Sequence, residues 1–345
     1  MLTVTKRKNF TSSGDAEAEK LLERVLGEIR ETLSGTKLCV VLGGSYGRGT
    51  GGVRQDRENG ILYNDLDFFV FARKKCPGTV FLLKNVAKKY EHELKVDVDF
   101  SAVMTARTMR KNASRLMMQE LKRGYHLVCG EDLLAENLTE DPPECLPFSE
   151  ACRLLLNRGM GLLLAGEKIS GNSKDTDFIL RNLYKAILGA GDAMMIARGE
   201  YLWDICDRRA YMDSSDLPES WKALYREAVE FKRTPHREEK EDMKKFWEDV
   251  RDFFRYAALQ AAEANSPGEM EKSIYSKCRK KGEDSLLNFI KYCIKSRSVP
   301  SAGMWKYYTM PTVAVLAAEL CRALENMPEK TDRKSKLYQH WLIFN

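Results

Sequence analysis

The stretch Leu38-Cys39-Val40-Val41-Leu42-Gly43-Gly44-Ser45-Tyr46-Gly47-Arg48-Gly49-Thr50-Gly51-Gly52 carries more structural information than any other part of this chain. Its first five residues are apolar and include β-branched side chains, the length and character of a buried strand. The strand runs straight into the densest glycine cluster in the sequence. Glycines after a buried strand let the backbone turn tightly and approach a ligand closely. A helix opening at Ser45 or Tyr46 would turn its free N–H groups to the same place. The combination reads as a phosphate cradle built on Gly43, Gly44 and Ser45, with Arg48 as a charge-assisted partner for outer phosphates. Two common cradles are excluded. No Gly-Lys-Ser/Thr ends the cluster as in a P-loop, and no acidic ribose ligand follows at the distance a dinucleotide-binding turn requires.

Upstream, Leu22, Val25, Leu26, Ile29 and Leu33 recur at helical spacing after Asp15, and Gly35 is placed to stop that helix. Downstream, polar Val53–Asn64 reads as a loop insertion and Asp65-Leu66-Asp67-Phe68-Phe69-Val70-Phe71 as a second strand. After Pro77-Gly78 the pattern predicts a helix over 80–94, a third strand over 95–103, a helix over 105–122 and a short strand over 126–129. Beyond Asp141-Pro142-Pro143 the character turns all-helical, with helices expected over 150–166, 175–198, 219–232, 237–264, 285–295 and 312–326. The expected fold is α+β. Residues 1–140 form a domain with a short mixed sheet flanked by helices, and residues 141–345 a helical domain, each long enough to bury its own core.

Composition narrows the function classes. Hydrophobic residues at 43% and charged residues at 31% describe a globular chain rather than a disordered one. Lysine and arginine number 56 against 50 acids, a net charge of +6. This excess suits an anionic ligand such as a nucleotide and, with no aromatic-basic stripe, argues against a long nucleic-acid substrate. Nine cysteines and four histidines are scattered, without C-x-x-C pairs or zinc spacing, so reduced thiols in a cytoplasmic protein are the expectation. No signal peptide is read at the N-terminus, and no apolar run is long enough for a bilayer, so no membrane partner is expected.

The acidic residues sharpen the picture. Asp65 and Asp67 are two apart on one strand, so they point to one face and lie roughly 7 Å apart along it. Their apolar neighbours bury the strand, and two bare carboxylates there are costly unless they bind something. A pair of this kind needs a compensating cation, and all-oxygen donors favour Mg²⁺. Asp97 and Asp99 repeat the arrangement in Val96-Asp97-Val98-Asp99-Phe100. One of them would complete a three-carboxylate, two-metal site.

Taken together, Gly43-Gly44-Ser45, then Asp65-Leu66-Asp67, then an acid on a later strand resemble the DNA polymerase β-type nucleotidyltransferase superfamily. The run Gly43–Gly49 followed by Asn64-Asp65-Leu66-Asp67 is similar to its bacterial uridylyl- and adenylyltransferase branch. Glu120-Leu121-Lys122-Arg123-Gly124 leading to Val128-Cys129-Gly130 resembles the last helix and strand of minimal members. The resemblance covers roughly residues 37–135, and a helical second domain is usual in that superfamily. It implies that Gly44 and Ser45 hold the triphosphate of an NTP. Asp65 and Asp67 would bind two Mg²⁺ ions, Mn²⁺ being an alternative, and Asp97 or Asp99 would hold the second. An acceptor hydroxyl then attacks the α-phosphorus in line and pyrophosphate leaves. Two departures stand out. The interval from Gly44 to Asp65 is longer than the family's, so Val53–Asn64 must loop out. The third acid is usually early in its strand, which favours Asp97 while leaving Asp99 and a joint role open.

In the second domain Arg181, Lys185 and Asp192 share a predicted helix face. Lys185 could reach the β- or γ-phosphate, although a solvated polar stripe opposite Leu183, Tyr184, Ile187 and Leu188 is the simpler account of the spacing. Base and acceptor stay open: a protein side chain, a small molecule or another nucleotide all fit. Two other functions compete. A D-x-D glycosyltransferase using a nucleotide-sugar accounts for Asp65 and Asp67 but not for the preceding Gly-Gly-Ser turn. A non-catalytic nucleotide-binding or interaction module would have little reason to keep every acidic position filled.

Overall fold

The computed structural model describes residues 9–55, 60–74, 76, 78–278, 312–325, 337–338 and 341. The fold is α+β, mostly helical, with one small mixed sheet. Two compact units divide the chain: Met1–Pro142 with Glu230–His236, and Pro143–Val229 with Arg237–Asn345. The first switch falls after Pro142, and a short later segment, Glu230–His236, joins the first unit.

In the first unit, α1 (Ala16–Leu33) opens on Asp15, whose side chain accepts from the Ala18 N–H, and the chain leaves it through Ser34 and left-handed Gly35. The expected apolar stripe is the face it buries. β1 (Leu38–Leu42) is buried at all five positions. One helical turn, α2 (Gly44–Gly47), follows it, and β2 (Leu66–Ala72) runs back antiparallel to β1. α3 (Thr79–Leu94) ends on left-handed Lys95. β3 (Val98–Phe100) is shorter than its pattern suggested, because that turn at Lys95 delays the extended backbone.

The single helix expected over 105–122 is broken into α4 (Ala106–Lys111) and α5 (Leu116–Arg123). Asn112 ends α4 by donating from its side-chain amide to the Thr108 carbonyl, 2.9 Å away. β4 (His126–Cys129) closes the sheet order β3-β2-β1-β4, and α6 (Leu133–Asn137) follows. β4 is antiparallel to β1, and β3 is parallel to β2. One sheet face (Val40, Leu42, Leu66, Phe68, Val70) packs on α1 and α3. The other (Cys39, Val41, Phe71) packs on Met109, Met118, Leu121 and Leu133.

The second unit contains no strand among its described residues. It is built from α7 (Phe148–Ser170), α8 (Thr176–Arg198), α9 (Ile205–Ser214), α10 (Glu219–Arg233, its end belonging to the first unit), α11 (Met243–Ala262), α12 (Pro267–Lys277) and α13 (Thr312–Glu325). The sequence pattern predicts neither α9 nor α12, and α11 starts six residues later than expected, at Met243 after its cap Asp242. The helix expected over 285–295 and the aromatic cluster Trp305, Tyr307 and Tyr308 lie outside the described residues. No described helix is long and apolar enough to cross a membrane.

Candidate active site

One end of the sheet gathers the residues that the sequence singled out. β1 ends there at Leu42, where the glycine turn begins, and β2 and β3 both start there. The β1–β2 ladder pairs Leu42 with Phe68, and the Gly43 N–H extends it by donating to the Asp67 carbonyl at 2.8 Å. In the next pair Asp67 lies in register with Asp99. Gly43, Asp67 and Asp99 therefore form one row across three adjacent backbones, with neighbouring strands roughly 4.8 Å apart.

Asp67 and Asp99 are thus neighbours of like charge on adjacent strands, an arrangement that disfavours the sheet unless positive charge, from a side chain or an ion, compensates it. Asp97 lies one residue ahead of β3, and its carbonyl accepts from the Leu66 N–H at 2.9 Å. Asp65 stands just before β2 and, like Asp67, is half-buried, whereas Asp97 and Asp99 are exposed. Register, which no sequence pattern supplies, pairs Asp99 rather than Asp97 with Asp67.

The glycine turn touches this row directly. Gly44 has φ +61°, and a Cβ built on it would sit 2.3 Å from Asp67 Oδ2. Glycine is required here twice, for the left-handed backbone and for the space beside the carboxylate. The turn closes through Gly47 N–H donating to the Gly43 carbonyl and Arg48 N–H to the Gly44 carbonyl, at 2.7 and 3.3 Å. The N–H groups of Gly44, Ser45 and Tyr46 head this turn, where a helix has no internal acceptors. The half-exposed Ser45 is held by its carbonyl, which accepts from the Thr50 N–H at 2.9 Å.

The long interval before Asp65 is not a slack loop. Val53 and Leu62 form an antiparallel bridge, and the Arg54 N–H donates to the Ile61 carbonyl at 2.8 Å, so the two described arms of the insertion pair as in a hairpin. Its neck is joined at Gly52: the Gly52 N–H donates to Asn64 Oδ1 at 2.7 Å, and the Tyr63 N–H to the Gly52 carbonyl at 3.2 Å. Tyr46, to which the motif assigns no role, reaches the same neck through its hydroxyl. The hairpin leaves and returns at one point, and Asp65 follows directly.

The remaining candidates are placed differently. Arg48 forms an ion pair with Glu120 on α5, Nη1 to Oε2 3.3 Å, both side chains partly buried. Lys185 is on α8 in the second unit. On the same helix Arg181 donates to Asp177 at 2.8 Å, and Asp192 lies 3.4 Å from the buried Arg208 guanidinium and accepts from the Tyr225 hydroxyl at 3.5 Å. Those two are accounted for by packing within their own unit. Burial pushes the Cys39 thiol up to about 11, which suits a packed thiol and not a nucleophile.

Among the described residues no three His, Cys, Asp or Glu side chains are already drawn together around a metal-sized point. The donors at the sheet end are nonetheless all carboxylates, hard oxygen ligands suited to Mg²⁺ or Mn²⁺, and two of them are in register. Comparison with family models, curated proteins and solved structures returned no match.

Proposed function

We propose that this chain is a Mg²⁺-dependent nucleotidyltransferase, moving a nucleoside monophosphate from an NTP to an acceptor hydroxyl with release of pyrophosphate. The observation that carries the reading is the three-backbone row Gly43, Asp67 and Asp99, with Gly44 packed against the Asp67 carboxylate. A phosphate-binding turn and a like-charged acidic pair at one point are what triphosphate chemistry needs, and neither a packing role nor a D-x-D site alone accounts for both.

In this reading the N–H groups of Gly44 and Ser45, with the Ser45 hydroxyl, grip the phosphates. Asp65 and Asp67 hold divalent cations together with an acid of β3, for which the register favours Asp99 and leaves Asp97 beside it. Bound there, Mg²⁺ or Mn²⁺ supplies charge neutralisation on the phosphates and makes an acceptor hydroxyl more acidic. The chain itself would orient the α-phosphate for in-line attack, and Asp99 or Asp97 would take the hydroxyl proton. Arg48, whose Nη1 is paired with Glu120, would offer its remaining N–H groups to the outer phosphates. The α+β unit would then be the catalytic domain of the polymerase β-type superfamily, in a cytoplasmic enzyme. Its acceptor would be a protein side chain, a small molecule or a nucleotide.

The test is a screen of the purified chain with each labelled NTP and Mg²⁺ or Mn²⁺, with and without cell extract, beside UDP-sugars. Transfer of nucleotide label that is lost in the Asp65→Asn/Asp67→Asn double variant supports the reading. Turnover of UDP-sugars alone would replace it with a glycosyltransferase, and silence with both donors would leave an interaction module.

A further inference from the structure

Tyr46 is fully buried, and its hydroxyl is saturated. It donates to the Gly52 carbonyl at 2.8 Å and accepts from the Tyr63 and Asn64 N–H groups at 3.1 and 3.3 Å. One donor and two lone pairs are all that a hydroxyl has. Burial above all, with the nearby Asp65 charge acting in the same direction, keeps this phenol neutral well above the ordinary tyrosine range, so the donated proton stays in place. The ring leaves no room to drift: a Cβ on Gly51 would lie 2.0 Å from its Cδ1.

The two ends of this link matter more than its strength. Tyr46 directly follows Ser45 of the phosphate turn, and Asn64 directly precedes Asp65. A rigid aromatic strut thus spans from the turn to the first acid across eighteen residues of chain, bypassing the hairpin between them. Asn64 supplies the second strap, through its Oδ1 to the Gly52 N–H.

We propose that Tyr46 is a positioning residue: its hydroxyl sets the distance between the Gly44–Ser45 turn and the Asp65–Asp67 carboxylates, and through it the strength of divalent-cation binding. This rests on reading the sheet end as a nucleotide-transfer site. Groups bonded directly to a metal ligand typically change metal affinity or activity by about 10–100-fold when removed; Tyr46 acts one residue further back, through the Asn64 N–H, so Tyr46→Phe is expected at the low end, about tenfold. Nothing in the ring changes, so the core keeps its packing.

The experiment is a Mn²⁺ titration of the whole chain by electron paramagnetic resonance without nucleotide, paired with thermal melts, on wild type, Tyr46→Phe, Asn64→Ala and Tyr90→Phe. Tyr90 is a tyrosine of the same unit with a buried ring, whose hydroxyl bonds Glu28 on α1, so it reports the cost of losing a tyrosine hydroxyl away from the sheet end. The expected result is Mn²⁺ binding weakened about tenfold in Tyr46→Phe and weakened in Asn64→Ala, with Tyr90→Phe binding like wild type at a comparable melting temperature. Unchanged Mn²⁺ affinity in Tyr46→Phe overturns the proposal, as does equal weakening in Tyr90→Phe. If Tyr46→Phe fails to fold, unchanged affinity in Asn64→Ala overturns it. Wild-type protein that binds no Mn²⁺ would instead remove the underlying reading of the site, a distinct outcome.

Discussion

Replacing Gly44 by alanine perturbs the site by one methyl group. The backbone at φ +61° is left-handed, which costs a non-glycine residue about 1–2 kcal/mol. The methyl carbon would lie 2.3 Å from Asp67 Oδ2. Ordinary contact begins about 1 Å further out, so the carboxylate or the turn must move by about that much, and a misplacement of about 1 Å at a reacting centre can cost roughly 100-fold in rate. Gly35 separates the two effects. It too is left-handed, at φ +80°, but a Cβ there meets nothing within 4 Å. Gly35→Ala should therefore lower the melting temperature by several degrees and leave turnover unchanged, while Gly44→Ala lowers both. The assay is pyrophosphate release under saturating NTP and Mg²⁺, beside thermal melts of both variants. Full activity in Gly44→Ala, or equal losses in both, would refute the argument that this turn and Asp67 act as one site.

Three further outcomes follow from the same geometry. Asp99→Asn relieves the like-charge pair with Asp67, a relief of about 0.2–1 kcal/mol without divalent cation. Mg²⁺ is expected to raise the melting temperature of wild type; Asp99→Asn should abolish that rise, whereas Asp97→Asn should keep most of it. Calorimetry with and without Mg²⁺ checks this, and the opposite ranking would return the third-acid role to Asp97. Iodoacetamide at pH 8 should label the exposed Cys145 and Cys206 well before Cys39, whose thiol burial pushes to about 11; equal labelling rates by mass spectrometry would contradict that packing. Glu28 is held down to about 2 by hydrogen bonds from Arg24 first, then Lys89 and Tyr90. Its depressed pKa means its stabilisation is complete above the ordinary carboxylate value of 4.5 and lost as pH falls toward 2. Glu28→Gln should flatten the acid limb of the stability curve, by a small amount because the group is exposed and screened by salt. An unchanged acid limb would show that the pairing adds nothing.

Local signals were legible where one physical cause dominated. The β-branched run before the glycines gave β1 to the residue, and the stripe from Leu22 to Leu33 gave α1, because burial on one side of a regular element imposes its period. Where competing causes act, the pattern misled. The polar run Lys111–Arg115 contains no glycine or proline, so helical periodicity passes through it, yet Asn112 turns back on Thr108 and splits the helix. α9 buries only Ile205, Arg208 and Met212, too sparse a stripe to read. α12 did carry a start signal, Ser266 before Pro267, with the Ser266 hydroxyl accepting from the Glu269 N–H.

At the candidate site, period two placed Asp65 with Asp67, and Asp97 with Asp99, but strand register is a tertiary property. No local pattern could say that Asp99 stands beside Asp67. Tyr46 escaped for the same reason: as one aromatic in a glycine-rich run it reads as core, and its role lies in what its hydroxyl reaches.

The most direct measurement follows two labels in parallel. The chain is incubated with its best NTP and Mg²⁺, labelled at either the α- or the γ-phosphate, together with cell extract to supply the acceptor, and the Asp67→Asn/Asp99→Asn variant is run beside it. Nucleotidyl transfer predicts α-label on the acceptor, γ-label in pyrophosphate, and neither in the variant. Gamma-label on the acceptor, or α-label transfer that persists in the variant, would contradict the assignment of this sheet end as a nucleotidyl-transfer site.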